Sequence, residues 1–525
     1  MSVTRRLCIG LCLPMLIGCS SRGSLATPDG GPDLFFDGWI PPDLVPSPDL
    51  PPDAAPPPPG CDGLAGFASA KRISPRHAMR VLIGATLDRM LLLDPLGELF
   101  AVALPSGKET KLADGIADVL GPADGPLVVA YRMSLTNPGR YHLIALAANG
   151  SGETPLGSSL CDHRMTASGH RVLLVQDCSA PLGLDQGTAA LLDATSGKTL
   201  WTVEGVAATG SSRIASDGSW AAVVSSILQA PGCPFTGTLQ TIDSAGQVHA
   251  IASDVVHDSV AFLTPAAPTR VLFQRAISCS SPGGFQLQVA DVGGSTPVTL
   301  ATGLDYGPTP YAVSPDGKRL LAAGLGPQIN QLIAINTDGG GQTVLASDLY
   351  PYHTIAMVYE PWSFCKSGAH VVYTPVTAYP EMGLAAVPAA GGAILPLSST
   401  LVQGRYAALP TPGDVWFVDH SSLTYRLWHA LATTGASQMR LATENSLDQL
   451  SLVPDGRGLV VMEQEPSQTT LRYVPPSGGG SAVALGSWTQ TTMQGQPYTM
   501  DPGGCVLAHD SDQGSPGTYL VLIPR

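Results

Sequence analysis

The chain has 525 residues, of which 44% are hydrophobic and only 13% charged, with 59 Gly and 47 Pro. That is enough apolar material for a sizeable core, but the chain is too long for one ordinary domain unless it is a repeat array. Low charge with abundant Gly and Pro argues for short strands and turns rather than helices, and a formal net charge of −14 argues against nucleic acid as a partner, because phosphate backbones would repel it.

Residues 1–18 read as an export leader. Arg5 and Arg6 supply the positive start, and Leu7 to Ile17 form an apolar stretch too short to span a bilayer. The segment closes on Leu16-Ile17-Gly18-Cys19, which resembles the bacterial lipobox. The resemblance implies that Cys19 is acylated, that the leader is cut before it, and that the mature protein is held at a membrane by lipid. Two or three acyl chains exceed what stable anchoring needs. Ser20 follows the anchor where an Asp would direct inner-membrane retention, so by the same resemblance the expected location is the outer membrane. No later stretch reaches about 18 uninterrupted apolar residues, which leaves lipid as the membrane attachment the sequence offers.

Residues 19–60 read as a tether. Pro-Asp pairs recur at Pro28-Asp29, Pro32-Asp33, Pro42-Asp43, Pro48-Asp49 and Pro52-Asp53, and the run closes with Pro56 to Pro59. Proline locks φ and removes donors, favouring extended polyproline II, while the unpaired Asp charges repel one another. At about 3.1 Å per residue the segment from Pro28 to Pro59 reaches roughly 100 Å. Phe35, Phe36, Trp39 and Ile40 interrupt it.

From Cys61 to Arg525 one pattern recurs: a turn rich in Gly, Pro or Asp, then an apolar strand. The clearest copies are Ser314-Pro315-Asp316-Gly317 before Leu320 to Ala323, Ser216-Asp217-Gly218 before Ala221 to Val224, and Pro454-Asp455-Gly456 before Leu459 to Val461. Weaker copies lie at Ser168-Gly169, Ser367-Gly368 and Gly503-Gly504, with further starts near Ser74, Pro122, Pro265 and Pro412. Each full unit then shows two more apolar runs around a Gly-rich turn, and a further run leads into the Pro-Asp-Gly turn. Four short strands in about 45 residues predict a β-propeller blade, and Asp-Gly supplies the positive φ that tight hairpins need. Ser-Pro-Asp-Gly-Lys-Arg-Leu followed by an apolar strand resembles the repeat of TolB-like (WD40-like) propellers, which implies an all-β propeller whose motif residues are structural. Asp193 to Trp201 resembles the tryptophan-docking repeat of quinoprotein-type propellers, which implies a Trp201 that docks neighbouring blades without a cofactor.

About ten starts exceed the usual 4–8 blades of one ring, so one large ring or two adjoining rings is expected. The last unit, Asp501 to Arg525, is too short for four strands. The segment after Cys61 can complete it and close the ring, leaving no open edge.

Seven cysteines follow Cys19. Export places them in an oxidising compartment, where disulfides are plausible and an odd count leaves one thiol over. Cys161 and Cys178 lie symmetrically about the Ser168-Gly169 turn and are expected opposite each other on paired strands. Cys233 and Cys279 sit in comparable loops of consecutive repeats and are expected to staple neighbouring blades. There is no Cys-x-x-Cys for zinc, no Gly-x-Ser-x-Gly, no His-Glu-x-x-His and no phosphate-binding loop. Asp510 to Gly514 reads as a polar turn rather than a calcium loop, because its fifth ligand position is Gly514. The eleven His are scattered, and no metal or cofactor is expected. Two functions of different class follow. The first is an envelope binding or scaffold module for a protein or glycan. The second is an enzyme, a glycan or peptide lyase or hydrolase, with its site in the channel.

Overall fold

The computed structural model describes most of residues 70–523; the longest stretches left out within that range are 350–361 and 489–497. The chain divides into Met1–Val45 and Pro46–Arg525, and everything described belongs to the second. Cys19 and the tether lie outside the described residues. The described residues form forty strands and no helix, so none offers a helix long and apolar enough to cross a membrane.

The strands assemble into antiparallel sheets in chain order, six of four strands and two of eight. Each eight-stranded sheet is two units joined end to end. In one, Val248–Val256 meets Arg270–Ala276 through a single residue pair, Val255 with Arg275. In the other, Leu395–Ala408 is a shared strand: its first half pairs with Glu381–Pro388 and its last residues with Asp414–Ser421. The described residues thus hold ten four-stranded units. Unit 1 covers residues 80–113, unit 2 116–157, unit 3 160–207, unit 4 212–256, unit 5 261–304, unit 6 312–346, unit 7 362–401, unit 8 406–443 and unit 9 446–488. Unit 10 contains Tyr498–Met500, Val506–Ser511 and Gly517–Leu522, and its fourth strand is Lys71–Ser74 from the other end of the chain. Lys71 pairs with Leu520 and Ser74 with Thr518. Gly517 admits this strand: its φ is 147° and a Cβ there would lie 2.3 Å from the Ser74 carbonyl oxygen.

The apolar runs are continuous rather than alternating because each sheet is covered on both faces. In Arg89–Leu93, Met90 and Leu92 pack toward unit 10, while Leu91 and Leu93 pack toward unit 2. The same division repeats around the molecule. Ten buried clusters each join one unit to the next, and the cluster holding Val81, Met90, Val506 and Leu520 joins the last unit to the first. The interfaces form one closed circuit, which is a β-propeller and matches the large-ring alternative. Among the described residues each unit packs against a neighbour on both faces.

The recurrent motif closes the hairpin between the first two strands of a unit. In unit 6 the Gly317 amide donates to the Ser314 carbonyl and the Ser314 amide donates to that of Arg319. Asp316 accepts from the Lys318 amide and from the Ser314 hydroxyl. Asp217 accepts likewise from the Ser219 amide. Gly218, Gly317 and Gly456 have φ of 74°, 67° and 77°, where an L side chain is strained. The missing Cβ has a second use. A Cβ on Gly317 would lie 2.9 Å from Thr264 of the preceding unit, and one on Gly169 2.2 Å from Pro122. The motif glycine of one unit therefore seats the turn of the unit before it. Pro315 plays the reciprocal part, lying against Gly368 of unit 7. Asp455 lies outside the described residues. Unit 1 corrects the sequence reading: its turn is Gly84 to Arg89, not the neighbourhood of Ser74. Leu87 holds φ 59° there, and without Gly at that position the turn did not resemble its relatives.

Candidate functional site

The first strand of each four-stranded sheet lies at one edge, as does Ser212–Ile214 at the head of its eight-stranded sheet, and first strands of adjacent units run beside one another: Arg80–Ile83 beside Tyr498–Met500 and Ile116–Gly121, and Leu160–Met165 beside Ser212–Ile214. Last strands such as Lys108–Ala113 are instead largely exposed. The first strands are therefore the inner wall of the propeller.

In units 1 to 4 this wall is charged. Arg80 pairs with Asp118 of unit 2 at 3.2 Å. Asp162 of unit 3 binds Arg164 at 2.9 Å and accepts from the Ser212 hydroxyl of unit 4 at 3.4 Å. Arg213 of unit 4 donates to the Gly210 and Ser212 carbonyls, and its charge acts on Asp162. Side chains alternate along the strand, so Asp162 and Arg164 face unit 4 while His163 faces unit 2, where its Nδ1 meets the Tyr131 hydroxyl.

Asp118 and Asp162 occupy equivalent places. Each follows a register irregularity, at Ile116/Asp118 and Leu160/Asp162, and each accepts from the next backbone amide, Val119 and His163, at 2.8 Å. Bulges re-aim side chains in this way and concentrate near functional sites. Burial raises both carboxyls above the usual range, opposed by Arg80 at Asp118 and by Arg164 at Asp162. Burial, with the charges of Arg164 and Arg80, holds His163 down to about 4, so the imidazole is neutral at physiological pH. Three buried nitrogens on this wall have no hydrogen-bond partner among the described residues: Arg80 Nε, Arg164 Nε and His163 Nε2.

The wall is pinned from behind. Cys161 and Cys178 form a disulfide with a Cα–Cα distance of 6.3 Å, joining Leu160–Met165 to Arg171–Ser179. Both sulfurs sit where the pairing of those strands or their neighbours is irregular. Gly187 makes room: a Cβ there would lie 2.3 Å from the Gln176 carbonyl oxygen and 2.7 Å from Cys178 Sγ.

Cys233 and Cys505 are also disulfide-bonded, while Cys279 lies outside the described residues. Cys365 is a free, buried thiol, pushed up to about 12 by burial. Trp201 pairs with Leu191 and packs, half-buried, against the cluster joining units 3 and 4. Asp510 and Ser511 are buried strand residues rather than a surface turn, and Asp510 faces His77 at 2.8 Å. Among the described residues no three His, Cys, Asp or Glu side chains gather as metal ligands. Sequence alone does not single out the inner-wall residues Arg80, Asp118, Asp162, His163, Arg164 and Arg213. The available signal was Asp162-His163-Arg164, three polar residues in succession on a strand of an otherwise apolar repeat.

No family model matches the sequence, and no curated protein does. Among solved structures, the chain is similar to dipeptidyl peptidase 4 of Porphyromonas gingivalis, with 10% identity over 81% of this chain and 60% of that one, at a TM-score of 0.47. It is also similar to Sqt1 of Chaetomium thermophilum bound to the N-terminus of ribosomal protein L10, with 13% identity over 69% and 96% at a TM-score of 0.37. A third is TolB of Acinetobacter baumannii, with 16% identity over 60% and 82% at a TM-score of 0.25. The chain spans about half (46%) of the tricorn protease, which it also matches. The propeller assignment rests on the sheets and their circuit.

Proposed function

We propose that this protein is a lipid-anchored module of the bacterial cell envelope that presents a propeller as a binding or scaffold surface, with a protein as its ligand. The lipobox-like Leu16 to Cys19 and the Pro-Asp tether support position: lipid holds one end and the spacer sets the reach. The observation that carries the binding role is the charged inner wall of units 1 to 4, whose four first strands bring three arginines, two aspartates and a histidine to a repeat otherwise built for packing.

The test has two parts. Wild type labels with a fatty acid and fractionates with outer membranes, whereas Cys19→Ser does neither; an acylated Cys19→Ser protein would refute the anchor. Affinity capture from envelope fractions recovers a stoichiometric protein. Recovery of none, alongside turnover of a wall polymer by the purified protein, would replace the binding role with the enzymatic alternative.

A further inference from the structure

We infer that Cys505 is bonded to Cys61, and that this disulfide ties the tether to the last unit so that a pull on the lipid anchor bypasses the strand that closes the ring. The inference rests on the export and lipid anchoring proposed above, which put the thiols in an oxidising compartment and the load on the tether.

Position in the ring selects the pairing. Cys505 is disulfide-bonded and 3% exposed, in the cluster that joins unit 10 to unit 1. A disulfide needs Cα atoms within about 7 Å of each other. Cys161 and Cys178 are bonded to one another, and Cys365 is a free thiol. Cys233 lies two residues before Phe235 of unit 4, and Cys279 directly follows Ser278, whose amide bonds within unit 5. Units 4 and 5 stand four and five places from unit 10 in the circuit of ten, so neither cysteine reaches Cys505. Cys8 and Cys12 leave with the leader, and Cys19 carries the lipid. Cys61 is the cysteine that remains; it lies outside the described residues.

The reach is available. Lys71 pairs with Leu520 and Val506 with Leu522, so Cys505 sits at the end of the sheet where the chain arrives at Lys71. From Lys71–Ser74 to Val506–Ser511 is two strand spacings, about 10 Å. Cys61 precedes Lys71 by ten residues, which span up to about 33 Å. The bond forms by exchange: a disulfide-bearing oxidant of the envelope takes both hydrogens and two electrons from the thiols and leaves as a dithiol. What the bond protects is short. Lys71–Ser74 has four residues, three of them paired with Gly517–Leu522, and it is the edge strand of its sheet. Val506–Ser511 is paired on both sides and buried throughout. Tension that enters the sheet at Cys505 is carried by this inner strand and leaves the closing strand unloaded.

The test is tryptic mapping of the full-length protein extracted from envelopes, without reduction and after alkylation of free thiols. Trypsin leaves Cys61 as the one cysteine of 23–71 and Cys505 as the one cysteine of 473–525. These two peptides are expected as a single linked species. Recovery of 473–525 linked to any other peptide, or alkylated at Cys505, overturns the pairing. Cys61→Ser leaves the buried Cys505 in place. It is expected to speed hydrogen exchange of the Gly517–Leu522 amides about tenfold, because the closing strand is then held by its own contacts alone. Unchanged exchange overturns the protective role. The mapping uses wild type, so it decides the pairing even if the variant fails to fold. Fatty-acid labelling of Cys19 is read on the same sample. A linked pair in unlabelled protein removes the anchor and its load while the pairing stands.

Discussion

The inner wall differs on its two sides, and the difference separates what builds the propeller from what it is used for. In units 5 to 7 the first strands are Ala261–Phe262, Ala312–Val313 and Trp362–Phe364, with no charged residue. Phe262, Trp362 and Phe364 are buried in the clusters that join successive units. In units 1 to 4 the same positions carry three arginines, two aspartates and a histidine, and Arg80, Asp118, Asp162, Arg164 and His163 are tied to side chains of a neighbouring unit or to each other. One arc spends its inner strands on packing. The other holds charged groups part-buried, at a desolvation cost that only pairing offsets.

Trp362 on the apolar arc is 1% exposed and packs between units 6 and 7. Trp362→Ala is expected to cost about 3–5 kcal/mol, read by chemical denaturation, without changing capture of the envelope partner per folded molecule. A loss of capture equal to that of Arg80→Gln would erase the distinction between the arcs. Removal of the disulfide by Cys161→Ser with Cys178→Ser is expected to cost about 3 kcal/mol for a loop of this length. Because the bond pins the strand bearing Asp162 to Arg164, the double variant should also weaken capture of the envelope partner several-fold. Stability loss without that weakening would mean the charged wall is held by its ion pairs alone.

The smallest expected effect is a pH slope. His163 has a folded-state value of about 4 against about 6.5 unfolded. Between those values the unfolded chain binds the extra proton, so this residue's contribution to stability is complete above about 6.5 and declines as pH falls toward 4. His163→Gln should flatten the slope of unfolding free energy in that window by up to about 1.4 kcal/mol per pH unit. His509 and His429 are lowered by burial as well, so a residual slope remains. An unchanged slope would show that His163 is not held neutral.

The fold was legible where backbone chemistry demands particular residues. Asp217-Gly218 and Pro315-Asp316-Gly317 reveal the turns because positive φ and the seat for the preceding unit's Thr or Pro leave few alternatives. The closing strand was legible from arithmetic, since Asp501 to Arg525 could not make four strands. Unit 1 was misplaced because Leu87 holds the position that Gly usually fills. The Cys161–Cys178 bond followed from symmetry about one hairpin, a local relation. The charged wall did not, because it is assembled from four strands spread over residues 80–214, and each contributes one to three polar residues with no spacing in common. Only circular packing brings Arg80 to Asp118 and Asp162 to Ser212.

The most direct test pairs Arg80→Gln with Trp362→Phe and measures unfolding free energy and capture of the envelope partner on both. Opposite outcomes are predicted. Arg80→Gln loses at least tenfold in capture and no more than about 1 kcal/mol of stability, as befits a part-exposed ion pair. Trp362→Phe loses stability and keeps its partner. An Arg80→Gln protein that binds like wild type, or a Trp362→Phe protein that keeps its stability but loses the partner, would contradict this.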